Sequence, residues 1–72
     1  MIDIKIVLVN KYGEFVGRKA TLSEESYKGL LEMVKTFYTS GGFELTLEDD
    51  SFVVFPPDIV KESILKVVKI KE

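Results

Sequence analysis

Cysteine, histidine, tryptophan and glutamine are absent from this 72-residue chain, and asparagine and arginine occur once each, at Asn10 and Arg18. Without cysteine there is no disulfide, and without Cys/His ligands no zinc site, so both usual staples of small domains are excluded. The same absences remove the common nucleophile–base pairs. The residues point to a non-enzymatic protein and call for no cofactor and no metal. Ten basic and twelve acidic side chains leave a net charge of −2. That field is too weak to draw in DNA or RNA and not acidic enough to imitate them. No stretch approaches the ~20 apolar residues that span a bilayer. Met1-Ile2-Asp3-Ile4-Lys5 also lacks the basic leader of a signal peptide, so the cytoplasm is the expected location.

What the chain has is apolar residues, 46% of the total. For 8.2 kDa, size scaling gives about 4,500 Å² of folded surface against about 11,900 Å² unfolded, enough burial for one domain and no more. A single domain over residues 1–72 is expected.

Ile2, Ile4, Ile6 and Leu8 alternate with Asp3, Lys5, Val7 and Val9, which predicts a strand over 2–9. Asn10-Lys11-Tyr12-Gly13-Glu14 reads as a turn, with Gly13 at a positive-φ position. Phe15 to Ala20 returns as a second strand, in which Gly17 marks a bulge or a close backbone approach. Ser23 suits a helix N-cap, with Glu24 and Glu25 in the first turn, where the helix dipole favours negative charge. Tyr27, Leu30, Leu31, Val34, Phe37 and Tyr38 form one apolar stripe, predicting a 16-residue helix that stops at Ser40-Gly41-Gly42.

Phe43-Leu47 and Phe52-Phe55 form a second hairpin around Asp49-Asp50-Ser51, ended by Pro56-Pro57. A helical turn capped by Asp58 and a last strand over Ile64–Ile70 complete the chain. The order is ββαβββ, an α+β fold with one amphipathic helix packed on a mainly antiparallel sheet. Val7, Val9, Val53, Phe55 and Val67, with Tyr12, exceed what one helix can cover, and a surplus apolar face marks a partner surface unless loops cover it.

The run Glu48-Asp49-Asp50 lacks the spacing of a calcium loop, and a solvated hairpin turn accounts for it. Lys61, Lys66, Lys69 and Lys71 make the C-terminus locally basic. They suggest a nucleic-acid or nucleotide site as an alternative, while edge-strand lysines also block aggregation.

The segment Val53-Val54-Phe55-Pro56-Pro57-Asp58-Ile59-Val60-Lys61-Glu62-Ser63-Ile64, with the helix opening Thr21-Leu22-Ser23-Glu24-Glu25-Ser26-Tyr27, resembles short phage and prophage accessory proteins. Such a resemblance implies a protein that binds and inhibits a host or defence factor in the host cytoplasm. It transfers no residue roles. The leading expectation is a protein-binding module. Tyr12, Phe15 and Tyr38 would be its aromatic anchors, and Glu48, Asp49 and Asp50 would steer a basic partner. A homodimer joined through an uncovered face or an edge strand is the further alternative.

Overall fold

The computed structural model describes residues 1–39 and 41–70. The element order is β1 (Ile2–Asn10), β2 (Gly13–Val16), β3 (Ala20–Leu22), α1 (Glu24–Val34), a 3₁₀ turn (Phe37–Thr39), β4 (Phe43–Thr46), β5 (Phe52–Phe55), α2 (Pro57–Lys61) and β6 (Ile64–Lys69). This is the expected α+β arrangement, with one main helix and antiparallel strands.

β1 is the central strand. β2 and β3 lie along one of its edges and β6 along the other, all antiparallel. The expected strand over 15–20 is split. Paired residue numbers sum to 23 along β2 (Val7↔Val16) and to 24 along β3 (Asp3↔Thr21), so one extra residue is inserted between them. That is a β-bulge, and it falls at Gly17-Arg18-Lys19. The Gly17 N–H donates to the Ile6 carbonyl at 2.8 Å. A β-carbon there would meet that oxygen at 2.9 Å and Leu45 Cδ1 at 3.0 Å. Both properties expected of Gly17, the bulge and the close approach, are present.

β4 and β5 form a separate two-stranded hairpin, stitched to the bulge rather than paired along its length. Gly17 bridges Leu47, the Arg18 N–H donates to Thr46 O at 3.1 Å, and the Glu48 N–H donates to Val16 O at 3.2 Å. Strand register assigns the faces. Ile2, Ile4, Ile6 and Leu8 share the inner face with Phe15, Leu65 and Val67. Phe43, Leu45, Val53 and Phe55 lie together on the inner side of the hairpin. The core forms between the two, from Leu8, Phe37, Leu45, Phe55 and Val60. Phe15 stacks edge-on to Phe55 at 5.1 Å and Phe37 to Phe43 at 4.9 Å. Phe55 and Val53 are therefore core residues and Val67 faces inward, so these three do not belong to the apolar surplus.

Ser23 caps α1 as expected, its hydroxyl accepting from the Ser26 N–H at 3.1 Å. The helix stops at Val34, short of Tyr38. Lys35 and Thr36 N–H groups bond back three residues to Glu32 O and Met33 O. The Thr36 and Thr39 hydroxyls take the Met33 and Thr36 carbonyls, which tightens the chain into the 3₁₀ turn. The apolar period runs on through this change, which is why spacing alone extends the helix. Of the expected Ser40-Gly41-Gly42 stop, Ser40 lies outside the described residues, as does Lys71. Asp58 does not cap α2. Pro56 holds the N-cap position with no side-chain bond, and Asp58 sits in the first turn.

Candidate interaction surfaces

Two apolar features remain once the core is accounted for. The first is the outer face of the sheet. Register places Val7, Val9, Val16, Ile64 and Val68 on it, and Phe52 and Val54 on the hairpin face turned away from the core. Val7, flanked by Val16 and Lys66, is only 7% exposed. Towards β6 the sheet face opens, with Ile64 61% and Val68 41% exposed, and on the hairpin Phe52 and Val54 are each 61% exposed. Each is large enough that burial would contribute roughly 1.5–3 kcal/mol.

The second feature is a groove of about 230 Å³ between α1 and the hairpin, lined by Ile6, Leu30, Val34, Phe37, Phe43 and Leu65. Met33 stands at its lip. No residue of α1 is fully buried, so the stripe rests on the sheet without closing against it. The folded surface of 5024 Å² exceeds the size expectation by about a tenth, consistent with this open seam.

The six residues singled out from the sequence are not gathered into one patch. Tyr12, 67% exposed, projects from the β1–β2 turn with Lys11 Nζ 5.4 Å from its ring. Asn10 Oδ1 accepts from the Tyr12 N–H at 2.9 Å, and Gly13 adopts φ 128°. Phe15 is half-buried against the core and offers little to a partner. Tyr38 is partly exposed, but its hydroxyl donates to Ser63 O at 2.7 Å. Ser63 is buried, donates to Ile59 O at 2.6 Å and accepts from Asn10 Nδ2 at 3.2 Å. That network ties the 3₁₀ turn, α2 and β1 together.

Glu48, Asp49 and Asp50 do share the β4–β5 turn, a three-residue loop ending in a left-handed residue, Asp50 at φ 69°. Their charge is largely engaged. Glu48 pairs with Lys5 at 2.5 Å and Asp50 with Arg18 at 3.3 Å. Asp49 Oδ1 accepts from the Ser51 hydroxyl and from the Ser51 N–H at 3.0 Å. These bonds, the hydroxyl first, hold the Asp49 carboxyl below its ordinary value. Lys11 pairs with Glu62, Lys19 with Asp3 and Lys35 with Glu32, whereas Lys69 Nζ lies 5.1 Å from the Tyr27 ring and Lys61 and Lys66 make no ion pair among the described residues.

Among the described residues no three carboxylates gather to hold a metal, and no buried side-chain polar atom lacks a partner. No helix among them is long and apolar enough to cross a membrane. No protein-family model, curated protein or solved structure matches the chain.

Sequence reading missed Phe52, Val54, Ile64 and Val68 as surface residues. Phe52-Val53-Val54-Phe55 is apolar at every position, so alternation cannot say which two face out. Only the pairing of Phe55 with Phe43 and of Phe52 with Thr46 decides it.

Proposed function

We propose that this chain is a non-enzymatic protein-binding module that works through the outer face of its β4–β5 hairpin. The exposure of Phe52 and Val54, two residues apart on one face of β5 and each 61% exposed, carries the reading. Exposed apolar surface of that kind marks protein contacts, and Phe52 is the aromatic anchor such a site needs. The resemblance to phage accessory proteins gives the reading a narrower form, inhibition of a host or defence protein.

The test is retention of a partner purified from the native host on immobilised chain. A Phe52→Glu, Val54→Lys variant should keep its far-UV spectrum and lose at least tenfold in affinity, since burying the two side chains contributes more than about 1.4 kcal/mol. Unchanged affinity in a folded variant would refute the outer face as the site.

A further inference from the structure

We infer that β6 is a self-pairing edge, through which two copies of the chain join into one continuous antiparallel sheet. This goes beyond the partner-binding reading and does not depend on it. β6 lies at the edge of the sheet, with β1 on one side and no described strand on the other. The Ile70 N–H donates to Asp3 O at 2.8 Å, so Ile64, Lys66, Val68 and Ile70 direct their backbone groups to β1. Leu65, Val67 and Lys69 therefore point their N–H and C=O groups away from the sheet.

The other edges are less open, and β2 and β4 are stitched together at the bulge by the Gly17–Leu47 bridge and the Glu48 N–H bond to Val16 O. β3 has three residues and begins at the bulge, and β5 runs into Pro56-Pro57. β6 has six residues, no proline and no bulge.

The sequence of β6 also complements itself. A two-fold axis normal to the sheet through Val67 sets Val67 opposite Val67 of the second copy. It sets Lys66 opposite Val68, and Leu65 opposite Lys69. The outward groups of residues 65, 67 and 69 then exchange hydrogen bonds across the join. Centring the axis on Lys66 or Lys69 would instead put like charges face to face, which is unfavourable. Centring it on Leu65 or Val68 also avoids facing lysines but leaves part of the strand unpaired, so charge and strand length together favour the Val67 register over the others. Ile64 and Val68 of both copies then share one outer face, with Lys66 of each copy between them.

The test is sedimentation equilibrium of the full chain from about 10 µM to about 1 mM, the range of a small, hydrogen-bonded interface. A monomer–dimer equilibrium is expected. Val67→Pro removes an N–H that the β1 ladder does not use, so it should give a monomer with an unchanged far-UV spectrum. Val68→Glu sets two carboxylates opposite Lys66 of the other copy and should tighten the dimer about three- to tenfold; Val68→Lys should weaken it by a similar factor. Adding Lys66→Glu to Val68→Lys should restore dimerisation. A strict monomer across the whole range overturns the inference, as does a dimer that persists in folded Val67→Pro. Equal effects of the two Val68 substitutions refute the register.

Discussion

Replacing Gly17 by alanine and replacing Gly29 by alanine add the same methyl group, and the structure assigns the two changes opposite signs. At Gly17 the new carbon would lie 2.9 Å from Ile6 O and 3.0 Å from Leu45 Cδ1. Neither neighbour can yield freely. The Ile6 carbonyl already accepts the Gly17 N–H at 2.8 Å, and Leu45 is a buried member of the core. Overpacking of this kind costs about 1–3 kcal/mol, and stretching the Gly17–Ile6 bond adds up to about 1 kcal/mol. At roughly 4–8 °C per kcal/mol for a domain of this size, Gly17→Ala should lower Tm by about 4–30 °C. At Gly29, in the exposed middle of α1, the new carbon meets nothing within 4 Å. Alanine there should gain about 1 kcal/mol of helix propensity and raise Tm by about 4–8 °C. Thermal unfolding followed by circular dichroism, with urea titrations to confirm a common m-value, reads both. A Gly17→Ala protein melting within about 2 °C of the parent, or a Gly29→Ala protein that loses stability as Gly17→Ala does, would refute the reasoning.

Two further outcomes follow from the polar contacts. Because Ser51 holds the Asp49 carboxyl below its ordinary value, the turn's contribution to stability is present above the unfolded aspartate pKa and is lost as pH falls through the lower folded one. An NMR titration should show Asp49 titrating lowest when Ser51 is intact and moving up in Ser51→Ala; an unmoved midpoint would remove the hydroxyl as the cause. Tyr38→Phe deletes the donor to Ser63 O and should cost about 0.5–1.5 kcal/mol in urea unfolding. A neutral result would mean that Ser63 O is satisfied without it.

Features written into neighbouring residues were legible in the sequence. Ser23 with Glu24 and Glu25 specifies a helix start because the cap is a contact across three residues. Gly13 marks its turn because no other residue type reaches its φ of 128° cheaply. The end of α1 was not legible, since hydroxyl bonds from Thr36 and Thr39 override a period that continues to Tyr38. Gly17 announced a bulge, but the split into β2 and β3 depends on pairing with β1. Of the candidate site, the aromatic anchors were chosen by residue type. Phe15 was then drawn into the core by Phe55, a neighbour 40 positions away in the chain. The outer face was legible only as a surplus of apolar residues. Its membership required the register of strands remote from one another in sequence.

The central position of β1 has a consequence in time. Its contacts with β2 span at most nine residues, from Val7 to Val16, and such a hairpin forms in about 1–10 µs. Its contacts with β6 span 55 residues at Val9↔Ile64 and 65 at Ile4↔Lys69. Pairings that distant slow folding, because loop closure precedes any return from the contact. During translation the β1–β2 hairpin is therefore complete while Lys5, Val7 and Val9 still present open hydrogen-bonding groups beside an apolar run. That edge stays adhesive until β6 emerges and seals it, so the vulnerable interval for misassembly is set by synthesis of the intervening chain rather than by the stability of the finished fold.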